Sequence, residues 1–239
     1  MGLYMRRLSK FLLLVVLFVV LAGSAFIYWY LHPNSKSNDY IHQWFAAPDQ
    51  RPQLSTGGRI ACDGAPFILP SDGFIGLLWA DPARPYNVLR RHTGIDIFGD
   101  GEPGTVPNYA AYDGYLTRLE DWKSTVIIEH DDPLQPGRII WTYYTHMASE
   151  DGSQSYIVDD FPPGTSGKWV TQGTLLGYQG MYSGTGPPIG MHLHFSIVKS
   201  DENGAFLNEA VLDNTLDPSP YLGLTLNIAD SPQRPIRCT

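Results

Sequence analysis

Gly190-Met191-His192-Leu193-His194-Phe195-Ser196-Ile197 decides how the rest of the chain is read. Two histidines two apart, in an apolar run with Phe, Ile and Val, predict a β-strand. Side chains at i and i+2 leave a strand from the same face. His192 and His194 therefore point together, while Leu193 and Phe195 point the other way, into a core. Two imidazoles held side by side on a rigid, buried element suit a metal site. The same pattern also occurs as the polar face of an ordinary strand, so the reading turns on two earlier segments.

Arg91-His92-Thr93-Gly94-Ile95-Asp96-Ile97-Phe98 sets a histidine four residues before an aspartate. A helix would bring that pair together, but Gly94 and the β-branched Ile95 and Ile97 disfavour one. The better reading is a turn at Thr93-Gly94 into a short strand, with Asp96 and Phe98 on one face. Gly94 lets the backbone fold so that His92 and Asp96 converge. Trp141-Thr142-Tyr143-Tyr144-Thr145-His146-Met147 is an aromatic, β-branched strand ending in a histidine. Four of the seven histidines fall in these three segments, which independent structural roles explain poorly.

Working outward, 24 Gly and 19 Pro among 239 residues suit a loop-rich, mainly β protein. Short strands are predicted at 67–70, 74–79, 106–112, 114–119 and 174–178. Residues 125–130 and 138–146 read as a hairpin, and Asp113-Gly114 is a tight-turn signal. Residues 148–167 form a polar insertion, either a wall around a cleft or a tolerated loop. A glycine- and proline-rich loop, 180–190, precedes the H-x-H strand, and a helical turn is expected around 206–212. There is no phosphate-cradling glycine loop and no Gly-x-Ser-x-Gly nucleophile motif. His42 has no ligand-like neighbours.

Residues 11–31 carry no charge and are long enough to cross about 30 Å of hydrocarbon as a helix. Arg6, Arg7 and Lys10 precede them, which keeps the N-terminus cytoplasmic and exports the remainder. Tyr28, Trp29 and Tyr30 at the far end suit a membrane interface. The rival is a cleaved signal peptide, since Ala22-Gly23-Ser24-Ala25 offers small residues; the apolar run continues past them, favouring an uncleaved anchor. All 24 acidic and 13 of the 16 basic residues follow this run, so the exported part carries −11. Nucleic acid is excluded as a partner, because its binders need clustered positive charge. Cys62 and Cys238 are the only cysteines; an oxidising compartment would permit a bridge between them, the alternative being two buried thiols.

The three motifs together, His92-x-Gly94-x-Asp96, Tyr144-x-His146 and His192-Leu193-His194-Phe195, resemble the lysostaphin-type (LytM-like) zinc endopeptidases. Ala110-Ala111-Tyr112-Asp113-Gly114, residues 126–130 and residues 170–177 follow in matching order, so the resemblance covers about residues 85–200. It implies an antiparallel-sheet domain with a groove, acting on peptide cross-links of bacterial peptidoglycan. Position by position, it implies His92, Asp96 and His194 as zinc ligands, with one coordination site left open. It implies His146 and His192 as unligated catalytic histidines flanking the scissile carbonyl. His130 also matches a common position and is read as structural. Two departures bear on substrate preference. Ser196 stands where many members have Glu, and the loop 183–191 is longer and carries prolines.

The organisation expected is a cytoplasmic 1–10, a membrane anchor 11–31, a linker 32–60, a peptidase domain 61–226 and a tail 227–239. The function expected is a single-pass, membrane-anchored zinc metalloendopeptidase of the cell envelope. The alternative is a noncatalytic LytM-like module that binds wall or a membrane-protein partner in a larger complex; silent members usually lack a ligand. A two-histidine-one-carboxylate iron oxygenase is a third reading, but it leaves His146 and His192 without a role.

Overall fold

The computed structural model describes residues 2–31, 35–57, 59–184, 186 and 189–238; Thr185, Pro187 and Pro188 of the loop before the H-x-H strand lie outside them. Helix α1 (Gly2–Leu31) comes first, and Leu12–Leu31 has the length and apolarity to cross a membrane with none of it buried in protein. Helix α2 (Lys36–Ala46) and the short α3 (Arg51–Leu54) follow.

The strands are β1 (Phe74–Ile75), β2 (Ile95–Phe98), β3 (Pro107–Tyr109), β4 (Gly114–Thr117) and β5 (Val126–Asp131). They continue as β6 (Ile139–Thr145), β7 (Lys168–Val170), β8 (Leu175–Tyr178), β9 (Leu193–Lys199) and β10 (Thr215–Leu216). Among the described residues the main sheet runs β1-β2-β9-β6-β5-β4-β7, with β10 beside β9; β3 and β8 form a separate pair. Every strand pairing is antiparallel. The fold is thus a mainly β, antiparallel-sheet domain with one N-terminal apolar helix as a candidate transmembrane span.

The alternation of side chains explains which face is core. Leu193, Phe195 and Ile197 of β9, with Ile95 and Ile97 of β2, are fully buried and join Leu116, Ile128, Ile140 and Tyr144 in one cluster. The opposite face carries Asp96, His194, Ser196 and Thr145 at one end and a second apolar cluster of Ile127, Trp141 and Val198 at the other. The hairpin β5–β6 pairs Val126 with Tyr144 through Asp131 with Ile139, as its sequence predicts.

The Asp113-Gly114 signal does not make a hairpin. β3 pairs with β8, whereas β4 pairs with β5 and β7. Gly114 opens β4 where a β-carbon would strike the Glu129 carbonyl, so this glycine serves a close strand approach rather than a tight turn. Residues 67–70 are no regular strand, although Ile68 and Leu69 still bond Ala111 and Ile60 through their backbones.

Within 32–60, α2 and α3 pack on the domain. Trp44 is buried against Leu54, Phe74 and Phe98 and stacks on Phe74 at 5.4 Å. Burial of that one indole contributes about 2–3 kcal/mol. Ser35 caps α2, accepting from the Ser37 amide. The hydroxyls of Ser35 and Ser37 both donate to the fully buried Asp81, at 2.9 and 2.5 Å. Cys62 and Cys238 are joined in a disulfide spanning 176 residues of sequence. Beside it, the Arg234 guanidinium donates to the Ile75 and Gly76 carbonyls.

Candidate metal centre and groove

Register places the first pair of site residues. Asp96 of β2 lies directly opposite His194 of β9, and Thr145 of β6 lies opposite His194 on the other side. Facing residues in an antiparallel pair have their β-carbons about 5 Å apart on one face, so Asp96 and His194 meet by topology alone. His92 arrives from the loop before β2. Its amide donates to the Asp81 carbonyl, and its own carbonyl accepts from Ala80. Gly94 follows, where any β-carbon would collide with the Phe195 carbonyl and the Ser196 side chain. The close crossing over β9 that carries His92 to Asp96 therefore requires glycine.

His92 Nε2 lies 3.0 Å from Asp96 Oδ1 and 3.0 Å from His194 Nδ1, and His194 Nδ1 lies 2.9 Å from Asp96 Oδ1. The protons on the far sides of both rings are already committed. His92 Nδ1 donates to the Leu78 carbonyl at 2.9 Å, and His194 Nε2 donates to the Glu209 carboxylate at 2.9 Å. Two imidazole nitrogens and a carboxylate oxygen consequently face one point, all in buried residues. Such a trio repels itself unless a cation sits among it.

The ionisation behaviour says the same. Burial would push the His194 imidazole down, but the Glu209 and Asp96 carboxylates hold it up, at about 10, so with no metal a proton on Nδ1 takes the place of the cation between His194 and Asp96. Burial would raise the Asp96 carboxyl, but His92 and His192, with hydrogen bonds from His194 and His92, keep it well below the usual carboxylate range. The cluster is built to hold positive charge. With that proton displaced, two imidazole nitrogens and one carboxylate oxygen within about a tetrahedron's edge of one another fit zinc, whose bonds to such atoms are about 2.0–2.1 Å long.

His192 and His146 stand beside this trio. His192 Nε2 is 3.7 Å from Asp96 Oδ1, its ring stacks on Phe98 at 4.8 Å, and Nδ1 donates to the Gly190 carbonyl. His146 follows β6 in a left-handed conformation, φ 75°, which is strained for a non-glycine residue. Its Nδ1 donates to the Tyr182 carbonyl, and its ring lies 4.6 Å from that of His192. Each therefore keeps Nε2 as a proton acceptor. Burial, reinforced by neighbouring histidines, lowers His146 to about 3. Burial likewise lowers His192, against the pull of Asp96. Both rings are neutral at pH 7.

The structure thus brings all five sequence-predicted residues, His92, Asp96, His146, His192 and His194, to one place. His130 lies elsewhere in β5, its two nitrogens bonded to the Asp113 carbonyl and Thr142 hydroxyl. His42 is exposed on α2.

Glu209 is the residue of the candidate site that sequence reading missed. One oxygen, Oε1, accepts from His194 Nε2, from Thr93 Oγ1 at 2.5 Å and from Ser196 Oγ at 3.1 Å. A carboxylate behind a ligating imidazole fixes its tautomer and raises its basicity. The only sequence signal was indirect: a serine at 196 leaves the His194 face without an acid on the strand. The groove beside the centre is lined by Tyr86, Arg90 and Arg91 on one side and Tyr143, Thr145 and His146 on the other. It continues along Trp122, Lys123, Thr125 and Tyr182. Phe45 of α2 abuts Gly190 and meets Phe98 edge-on at 5.7 Å, so the segment before residue 60 helps to wall the site.

No protein-family model matches this chain, and no curated protein sequence does either. Solved structures do. LytU is similar at 23% identity over 62% of this chain and 82% of its own, with a TM-score of 0.41. Lysostaphin is similar at 21% identity and TM-score 0.38, over 62% of this chain but 49% of its own length. A crystal structure of an M23 protein from Pseudomonas aeruginosa, titled a peptidase, matches at 20% identity and TM-score 0.38, over 79% of this chain and 63% of its own. These are partial likenesses of fold, all at 23% identity or below and TM-scores of 0.41 or below.

Proposed function

We propose that this chain is a membrane-anchored zinc endopeptidase that hydrolyses peptide bonds in peptidoglycan. The observation that carries the reading is the convergence of three lone-pair donors beside two histidines kept neutral. His92 Nε2, Asp96 Oδ1 and His194 Nδ1 would hold the ion. When bound, zinc would act as a Lewis acid toward the scissile carbonyl and toward water. Leu78 and Glu209 keep the two ligand imidazoles in the tautomers this requires. His192 and His146, each anchored through Nδ1, present Nε2 to the reaction centre. One would accept the proton of the attacking water at Nε2 and, once protonated, pass it to the leaving amine, while the other accepts a hydrogen bond from that water at its own Nε2. No glutamate base of the H-E-x-x-H kind is present in the chain, so the histidines carry that task.

The groove between residues 86–91 and residues 122–125 accommodates an extended peptide. Its floor is formed by the half-buried Tyr143 and the buried Thr145. Anchoring rests on α1, with its lipid-facing side chains along Leu12–Leu31; an N-terminus in the cytoplasm follows from Arg6, Arg7 and Lys10. The test is metal content of the purified full chain together with mass spectrometry of products released from sacculi. About one zinc per chain and new peptide termini are expected. Zinc without any cleaved wall peptide would replace this reading with a wall- or partner-binding module.

A further inference from the structure

Helix α1 ends directly on the domain. The Val88 amide donates to the Leu31 carbonyl at 3.1 Å, and Arg84 Nη2 donates to the Tyr28 hydroxyl at 3.3 Å. Tyr28 and Leu31 are one turn apart, about 4.5 Å along the axis. Residues 84–91 therefore lie level with the last turn of α1. That turn, Tyr28-Trp29-Tyr30, is aromatic and exposed, as at the headgroup boundary of a bilayer.

The composition of the segment fits that level. Arg84-Pro85-Tyr86-Asn87-Val88-Leu89-Arg90-Arg91 holds three arginines and no acid, in a part of the chain whose net charge is −11. Among the described residues none of the three arginines forms an ion pair. Leu89 is 82% exposed, more than any other large apolar side chain described, and Val211 beside it is also exposed. Arg90 and Arg91 flank Leu89, with Asp213 the one acid lining the same hollow; protruding apolar residues beside arginines are the signature of a surface that dips into lipid headgroups.

We infer that residues 84–91 are a lipid-docking loop that holds the mouth of the His92–His194 site against the membrane carrying α1. The partner is the anionic phospholipid headgroup layer, contacted by Leu89 and the three arginines. The inference rests on the anchor reading above. Its consequence for substrate follows from the loop's other face: Tyr86, Arg90 and Arg91 also line the groove. The scissile peptide is therefore presented at the membrane surface, not at a distance set by a flexible tether.

The test uses the full chain in vesicles of phosphatidylcholine and phosphatidylglycerol, with single fluorescent labels at Leu89→Cys, Trp169→Cys and Phe18→Cys. The native cysteines are paired and do not react. Trp169 is exposed on β7, at the opposite edge of the sheet. Nitroxide lipids labelled near the headgroup should quench the Leu89 probe and leave the Trp169 probe untouched, while deep nitroxides quench the Phe18 probe. Removing phosphatidylglycerol should lower headgroup-level quenching at Leu89 by about fivefold or more, the attraction of one arginine. A quenched Phe18 probe with Leu89 no more quenched than Trp169 overturns the docking loop and leaves the anchor standing. An unquenched Phe18 probe overturns the anchor and the docking with it. Equal quenching at Leu89 without phosphatidylglycerol overturns the assignment to anionic headgroups.

Discussion

Replacing Glu209 measures how much of the proposed metal centre is built from outside its three proposed ligands. Its Oε1 takes three hydrogen bonds, one from the His194 imidazole, and charge-assisted bonds of this kind contribute about 1.5–3 kcal/mol against about 0.5–1.5 for neutral ones. In Glu209→Gln an oxygen acceptor remains and the charge is lost, a difference of about 1 kcal/mol and so roughly a five- to tenfold weaker zinc affinity. In Glu209→Ala the His194 Nε2 proton loses its partner and the ring is free to turn, so affinity should fall about a hundredfold. A titration of zinc against a competing chelator on the purified full chain reads both numbers. Circular dichroism of the metal-free variants separates folding from affinity. Folded Glu209→Ala with wild-type zinc affinity would refute the claim that this carboxylate orients His194.

His146→Ala and His192→Ala should each retain zinc and lose about 10²–10⁴-fold in turnover, measured as peptide release from sacculi beside metal content. His194→Ala should lose the metal itself. Gly94→Ala should destabilise the domain by about 2–3 kcal/mol, because its β-carbon meets the Phe195 carbonyl and the strand crossing must open; urea unfolding reads it. His130 supplies a pH dependence away from the metal. Burial lowers it to about 4, so below pH 6.5 the unfolded chain binds the proton first. Stability is then lost as pH falls from about 6.5 to about 4, by roughly 3 kcal/mol from this residue. The loss should be visibly shallower in His130→Gln, and equal slopes in the two proteins would exclude it.

The candidate site was legible because its pieces are short and periodic. The i, i+2 rule alone puts His192 beside His194, and a glycine between His92 and Asp96 marks a close approach. Glu209 was not legible: it stands 13 residues beyond Ser196, and only the folded path of residues 200–212 returns it to the strand. The packing of α2 was hidden for a different reason. Tyr40, Ile41, Trp44 and Phe45 form an apolar face that lipid or protein would cover equally well, and the choice is made by Phe74 and Phe98, far away in sequence. Asp113-Gly114 misled because glycine before a strand serves two physical purposes, a reversal or a near contact, and local sequence does not distinguish them.

The C-terminal fastening ties the chemistry to the redox state of its surroundings. Arg234 grips the Ile75 and Gly76 carbonyls, the Gly76 amide bonds the carbonyl of Asp96, and Cys238 locks that tail to Cys62. A copy kept among reducing thiols would lack the lock and carry Asp96 on a strand whose brace through Gly76 is loosened. Under the function proposed above, forming this disulfide would be the step that completes the brace behind Asp96 in an oxidising compartment.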